Sequence, residues 1–456
     1  MEELEMITQE ILSLAEEGRY ARLREALSEL NPADIALILA EMSEKQLTVS
    51  FRLLPKELAS EVFVYMEADI QETLIHSFSD SELSEVLEDL YLDDTVDLIE
   101  EMPASVVVRI LRNTDAADRR RINELLKYPE DSAGSMMTLE YVSLQKEMTV
   151  RDAIKKIRRD GVNKETVYTC YVTEKRALIG IVTVKDLLLA GDDDLLEEIM
   201  EENVISVQSH EDRETVARMF SKYDFMALPV VDQDGRMLGI VTIDDAVDVM
   251  EEEATEDMEL MNAMTPSEKP YLKSSAFELF KNRIPWLMLL MLSATFTGLI
   301  ITSFEDALAT QVALTAFIPM LMGTGGNSGS QSSVTVIRSL SLNELKFRDI
   351  GIVIWKELRT ALMCGIVLAA ACFVKIWLID HLLMQNEAIT LMVDLVVCLA
   401  LCVTVIIAKI VGGVLPLIAK VLGADPAVMA SPFITTIVDA VSLLVYFMFA
   451  KTLLHM

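Results

Sequence analysis

DPAVMASPFITTIVDAVSLLVYF, residues 425–447, is an apolar stretch long enough to cross a bilayer, and it carries one acid, Asp439. A membrane helix needs about 20 mostly apolar residues. A carboxylate within such a helix is costly unless it is hydrated or paired. Two readings compete. Asp439 is protonated against a neighbouring helix, or it faces a water-filled path as a cation site. Acids inside spans mark ion or proton pathways by default, and the sequence places no Lys or Arg at the same depth. The second reading is therefore preferred. Pro426 and Pro432 loosen the first turns of the span and leave carbonyl oxygens near Pro432 as further candidate ligands.

Working outward, four more spans precede this one, near 284–303, 307–337, 358–379 and 389–415, and the last runs near 426–450. The second is interrupted by GTGGNSGSQSS, whose polar groups cannot face hydrocarbon and must be buried in protein or line water. Close helix packing is the ordinary alternative for its glycines. No strand precedes it and no basic residue follows closely, so it is not a phosphate cradle. Gly412, Gly413 and Pro416 predict a break or kink in the fourth span. Asp394 lies near the outer end of that span, where an interfacial carboxylate is cheap.

Orientation follows from Lys and Arg in the short flanks. Lys273, Lys281 and Arg283 precede span one; Arg338, Lys346, Arg348, Lys356 and Arg359 lie between spans two and three; Lys409 and Lys420 separate four from five. The opposite loops are acidic. This predicts residues 1–283 inside the cell and the C-terminus outside, in a cell (inner) membrane. MEELEMITQE at the start has no signal-peptide pattern.

Charge divides the chain in the same place. The net charge is −33, of which residues 1–283 carry −32 and residues 284–456 carry −1. Such an acidic chain excludes nucleic acid as a partner, because phosphate contacts need a basic face. It favours cations, although most of the acids form a solvated surface. The five cysteines show no disulfide framework and no metal-ligand spacing with His. The four histidines are scattered, and no nucleophile–base or acid-pair arrangement suggests an enzyme.

A carboxylate with no His or Cys near it suits a hard, hydrated ion such as Mg²⁺ better than zinc or copper. One acid per five spans reads as half a site, which a twofold homodimer would complete.

The soluble part holds an internal repeat. LIGIVTVKDLL at 178–188 returns as MLGIVTIDDAV at 237–247, each preceded by another strand (VYTCYVTE, 167–174; ALPVVDQDG, 227–235) and by a helix near 149–160 or 212–223. The unit resembles a CBS domain, and two copies form a pair. In that family the Thr and Asp of the GIVT-x-x-D stretch hold a nucleotide ribose. The resemblance thus offers Thr183 and Asp186, and Thr242 and Asp245, as a possible adenine-nucleotide site, with a purely structural or cation-sensing pair as the alternative. Residues 1–130 are patterned as short capped helices (NPADIALILAEM, LPKELASEVFVYM, SDSELSEVLEDL, LDDTVDLIEEMP) that stack into a superhelical array. EEEATED begins an acidic connecting helix, which Pro266 and Pro270 interrupt.

This order, with YPEDSAGSMMT, PMLMGTGGNSGSQSS and DPAVMASPFITTIVD, resembles the MgtE family of magnesium channels over essentially the whole chain. The resemblance implies a multi-domain membrane protein: an α-superhelical N domain (1–130), an α/β CBS pair (131–253; about 135–195 and 196–253), a connecting helix and linker (254–283), and an all-α transmembrane pore domain of five helices per chain (284–456). It implies a homodimeric, Mg²⁺-selective channel gated by cytosolic Mg²⁺ and in some members tuned by ATP. The family's pore Asp falls on Asp439, and its carbonyl-contributing positions fall on Thr435 and Ser431, which depart in side chain from the expected Ala and Asn. Its sensing acids fall on Glu61, Asp93 and Asp97, with Asp94 as a neighbour, on Asp212, Glu214, Asp245 and Asp248, and on Glu253, Glu256 and Asp257.

Charge supplies a mechanism for gating. Two carboxylates brought to about 7 Å repel by roughly 2–3 kcal/mol at an effective dielectric near 20. Without Mg²⁺ the acidic parts splay and the pore opens. With Mg²⁺ bridging them they compact and the connecting helices close the inner mouth, a population shift driven by an ion that binds the closed state better. The rival readings are an ion-coupled divalent cation carrier and a membrane-anchored CBS nucleotide sensor.

Overall fold

The computed structural model describes residues 2–267, 271–272, 274–385, 389–429 and 431–455, except for the side chains of 2–5, 306 and 431. The chain forms two compact units, 1–250 and 251–456.

In the first unit, ten short helices run from Glu2 to Leu125. Their apolar residues recur on one face and bury Leu23, Leu39, Val62, Leu74, Leu83, Val96 and Ile110 in a shared core. Each helix packs on its next-but-one neighbour, which makes a superhelical stack. Caps set the starts. Ser79 accepts from the Glu82 backbone N–H, and the Glu82 carboxylate reaches back to Ser79 while pairing with Arg52 Nε at 2.7 Å. The stack leads to helix Leu92–Glu101, whose first turn carries Asp93 and Asp94.

The repeat folds as a duplicated sheet. Strands β1 (Ser143–Leu144), β2 (Thr169–Glu174) and β3 (Ala177–Thr183) form one three-stranded sheet, and β4 (Val207–Gln208), β5 (Ala227–Val231) and β6 (Met237–Thr242) form the other. In each, a parallel pair is followed by an antiparallel pair. Both copies bulge at the same place, Val172/Thr173 and Val230/Val231. Lys175 and Arg176 take positive φ in the tight β2–β3 turn, whereas the β5–β6 turn uses Gly235. The short strands β1 and β4 escape a sequence reading because two residues carry no periodicity.

Among the described residues of the second unit, four helical stretches are long and apolar enough to cross a membrane: Ala276–Ser303, Phe347–Leu383, Leu391–Val421 and Pro426–Leu453. The expected second span differs from its reading. It is not interrupted by GTGGNSGSQSS; one helix, Ile318–Ser341, runs straight through it (the glycine helix). The reason is packing. The glycines let it lie directly against Leu391–Val421 and Ser431–Leu453, which buries Ser328, Ser332 and Ser333 in protein, while Asn327 and Gln331 stay exposed. A Cβ on Gly325 would sit 2.7 Å from Thr404, and one on Gly329 would sit 2.6 Å from Ile434.

Other expectations also shift. Helix Leu391–Val421 continues through Pro416. Lys409 and Lys420 therefore belong to a helix and not to a loop, and Lys409 is only 5% exposed. Asp394 lies in the first turn of this helix, as expected from the sequence, but it is only 2% exposed, and its Oδ2 stands 2.9 Å from Nε2 of His381 in the π-helical turn Ile376–Leu383. A buried carboxylate needs such a partner.

Candidate functional site

Asp439 lies in helix Ser431–Leu453, three residues beyond Thr436. That helix forms because Pro432 is tolerated in its first turn and the residues beyond it are apolar. The Asp439 carboxylate is half-buried, and among the described residues it has no hydrogen bond or ion pair. This does not match a carboxyl bonded to a neighbouring helix. Around it, Val438 and Thr435 press against Gly325 and Gly326 of the glycine helix. The Thr435 and Thr436 hydroxyls both donate to the Pro432 carbonyl, at 2.9 and 3.0 Å. That oxygen is thus already engaged, which removes it from the free carbonyls expected near Pro432. Ser431 opens the helix, with its side chain outside the described residues.

A buried polar chain lies deeper in the bundle. The Ser332 hydroxyl donates to Glu357 Oε2 at 2.6 Å, and Lys409 Nζ stands 3.5 Å from Ser332 Oγ. It links three helices. Lys409 reads as a flanking charge from sequence alone, and only the burial of its helix face reveals otherwise.

The C-terminal part of the linker helix, Ile243–Met261, belongs to this unit. Leu260 and Met261 pack with Ile337 and Ala427, and Ser341 Oγ donates to Asp257 Oδ2 at 3.3 Å. Glu253 and Glu256 are part-buried on the same helix. The linker helix therefore touches the glycine helix where the latter ends.

In the first unit the predicted sensing acids separate into two groups. Asp93, Asp94 and Asp245 come together, with Asp97 at the open rim. Burial first, and then the neighbouring charges, pushes Asp93, Asp94 and Asp245 each up to about 7. Asp97 is raised in the same way, though water at the rim screens it. Thr242 donates to Asp245 Oδ2 at 2.6 Å, which fixes that carboxylate at the start of the linker helix. Two acids that the sequence did not single out join them. Glu165 is pushed up to about 9 by burial and by Asp93, and Glu140 is raised, chiefly by burial. No periodicity or motif marks either one.

The remaining acids stand apart. Glu61 is exposed on helix Lys56–Val64, and Asp248 is exposed on the linker helix. Asp212 caps helix Arg213–Tyr223 by accepting from the Thr215 N–H, and Glu214 pairs with Arg218 at 2.7 Å. Among the described residues no three acids, histidines or cysteines form a ready ligand set for a bare metal ion. An ion that keeps its waters and touches one or two carboxylates does not require one.

A third feature is a cavity of about 550 Å³ lined by Tyr168, Thr169, Thr183, Val184, Lys185, Leu188, Leu189 and Met226. Thr183 Oγ1 donates to Asp186 Oδ2 at 2.5 Å, and Asp186 Oδ2 also accepts from the Thr183 N–H. The cavity thus sets an exposed aromatic ring beside Thr183, the residue that Asp186 pairs with in the first repeat. The second pair, Thr242 and Asp245, lies in the acidic cluster instead.

Comparison with known proteins agrees with this organisation. Residues 30–131 match the MgtE intracellular N domain, 133–193 and 196–252 match CBS domains, and 318–449 match the MgtE divalent cation transporter domain. The chain is 35% identical to the magnesium transporter MgtE of Thermus thermophilus, over 100% of this chain and 99% of that protein. It is 34% identical to the magnesium transporter MgtE of Bacillus subtilis, over 98% and 97%. Its fold matches the crystal structure of the cytosolic domain of the Mg²⁺ channel MgtE in complex with ATP (TM-score 0.51, 36% identity), covering 53% of this chain and 99% of that one. The chain belongs to the MgtE family of divalent cation transporters, which are transport proteins and not enzymes.

Proposed function

We propose that this protein conducts Mg²⁺ across the cell membrane as a homodimeric channel that cytosolic Mg²⁺ closes. The observation that carries this reading is Asp439: a half-buried carboxylate in an apolar helix, with no ion-pair partner among the described residues. A hydrated hard cation meets it by outer-sphere contact, with backbone oxygens near Thr435 and Ser431 completing the site. Two copies related by a twofold axis place two such carboxylates on one path. The 35% identity to a magnesium transporter over the full chain supports Mg²⁺ as the cargo.

Closure rests on the acids. Asp93, Asp97 and Asp245 repel when empty and draw together around Mg²⁺; Glu61, Asp212, Glu214 and Asp248 supply further contacts on that side. Glu253, Glu256 and Asp257 carry the change along the linker helix to the glycine helix. The working division is 1–130, 131–253, 254–283 and 284–456, with the N-terminal parts in the cytosol and the C-terminus outside. ATP occupies the cavity beside Tyr168, with Thr183 and Asp186 at its ribose; the similarity to an ATP-bound cytosolic domain supports this assignment.

Flux of Mg²⁺, Co²⁺, Mn²⁺ and Ca²⁺ into liposomes, compared for wild type and Asp439→Ala, tests the pore. Loss of Mg²⁺ flux is expected, and an unchanged rate would sink the assignment. Unitary current in patch recordings separates a channel from a carrier. The Asp245→Asn/Asp248→Asn variant is expected to stay open at high internal Mg²⁺.

A further inference from the structure

Two opposite charges lie within the apolar helices of the second unit, joined by a single hydroxyl. Glu357, on helix Ile350–Lys375, accepts from Ser332 Oγ at 2.6 Å, and Lys409 Nζ, on helix Leu391–Val421, stands 3.5 Å from the same oxygen. Ser332 is 3% exposed. Among the described residues, Ser332 is the one polar contact of Lys409. Such a bridge is a poor source of stability. Buried opposite charges rarely recover their desolvation cost, and apolar replacement of both is often neutral or stabilising. Ionisable groups inside membrane spans are, by contrast, functional by default.

The place of the chain says what that function is. Three residues before Ser332, Gly329 abuts Gly412, which is three residues beyond Lys409, and a Cβ on Gly413 would stand 3.1 Å from Glu357 Cγ. On its other side the glycine helix meets the helix of Asp439: Gly326 lies against Thr435, Gly329 against Ile434, and Ser333 Oγ donates to the Met429 carbonyl at 3.4 Å. Further along, Ile337 packs with Leu260 and Met261 of the linker helix, and Ser341 donates to Asp257. Ser332 therefore lies between the glycine contacts that wall Asp439 and the residues that the linker helix touches.

We propose that Lys409 and Glu357, joined through Ser332, are positioning residues for closure of the pore. They lock the glycine helix to both neighbouring helices at one point. A push of the linker helix on Ile337 and Ser341 then turns the glycine helix about that point and reaches the wall beside Asp439. Without the lock, the C-terminal end of the glycine helix yields and absorbs the push. The Gly325, Gly326 and Gly329 contacts do not involve these charges, so the open path survives their loss. The proposal rests on the reading of the linker helix as the element that carries closure, and it names what that helix works against.

The test uses the full-length chain, with Tm measured in detergent and, in liposomes, the internal Mg²⁺ that half-closes the flux. Lys409→Met/Glu357→Met is expected to melt at or above the wild-type temperature and to conduct when the interior is free of Mg²⁺. It should need about threefold or more internal Mg²⁺ for half-closure, the scale on which single residues modulate coupling. Ser332→Ala breaks the bridge and keeps both charges. It should shift half-closure alike, and Ser332→Ala/Lys409→Met should shift it no further than either change alone, because both cut one chain. An unchanged half-closure point in Lys409→Met/Glu357→Met and in Ser332→Ala would overturn the proposal. So would a double variant that melts lower and loses flux even with a Mg²⁺-free interior, since the chain would then hold the fold and not the gate. Asp245→Asn/Asp248→Asn in the same assay separates the two ideas. If it shifts closure while the Lys409 and Ser332 variants do not, cytosolic sensing stands and this role falls. If internal Mg²⁺ does not close even the wild type, both fall.

Discussion

Gly412 faces Gly329 so closely that a Cβ added to it would stand 2.1 Å from the Gly329 carbonyl oxygen. No side chain fits there, and the obstacle is backbone, which cannot swing aside. This contact sets the distance between the glycine helix and helix Leu391–Val421, and through them the wall behind Asp439. Gly412→Ala is expected to cost about 1–3 kcal/mol or more as overpacking. The Tm of the purified protein should fall and Mg²⁺ flux should be lost. Gly298→Ala, where a Cβ meets nothing within 4 Å, is the matched control and should leave both unchanged.

Thr435 separates backbone from side-chain chemistry at the pore. Its hydroxyl donates to the Pro432 carbonyl within the same helix. Thr435→Val keeps the shape and the backbone oxygen and removes only that internal bond. Mg²⁺ flux should stay within about threefold of wild type, while Asp439→Asn abolishes it. A Thr435→Val protein as inactive as Asp439→Asn would mean that the hydroxyl itself meets the ion.

Much of this was legible in the sequence, and the exceptions share a cause. The apolar spans, the stacked helices and the duplicated strands each rest on local periodicity, which the chain displays directly. Asp439 stood out because an acid within hydrophobic residues has no other local explanation. The glycine helix misled because Gly and Ser read as breakers in water, while between packed helices they permit contact. Glu140 and Glu165 escape the sequence, and Lys409 reads there as a flanking charge, for a different reason. Their meaning comes from partners distant in sequence, such as Ser332 for Lys409 and Asp93 for Glu165. No window along one chain holds both members of such a pair.

Acidity should stabilise the empty protein. Asp93 and Asp245 are raised to about 7 and Glu165 to about 9, so the folded state binds protons that the unfolded chain has already released. The sign follows: without divalent cations, stability rises as pH falls from about 9 toward the ordinary carboxylate range. Below that, the trend reverses for Glu82, whose carboxyl the Arg52 hydrogen bond and the Ser79 N–H hold at about 2. Unfolding midpoints in chelator should therefore be higher at pH 5.5 than at pH 8.5. Saturating Mg²⁺ should flatten or invert that difference, because the ion needs the carboxylates ionised.

His381 and Asp394 give a prediction independent of transport. Removing one partner from a buried, charge-bearing hydrogen bond leaves the other uncompensated. His381→Ala should cost roughly 1–3 kcal/mol, seen as a lower Tm. His381→Ala/Asp394→Ala should recover part of that loss, since the stranded carboxylate is gone. A double variant less stable than the sum of the singles would contradict this pairing.

Tyr168 tests the nucleotide cavity without touching the acids. Its ring is exposed at the cavity edge, beside Thr183 and Met226, which suits it to lie against an adenine base. Tyr168→Ala should weaken ATP binding about tenfold or more, and Asp186→Asn should weaken ATP more than it weakens adenine alone, because Asp186 acts at the ribose. Thr242→Val, in the second repeat, should change neither, since that pair faces the acidic cluster; it should shift the Mg²⁺ needed for closure instead, by releasing Asp245 Oδ2. Calorimetric titration of the full chain with ATP and with Mg²⁺ separates the two effects. If Thr242→Val weakens ATP as strongly as Tyr168→Ala does, the two repeats share one nucleotide and the division of labour between them is wrong.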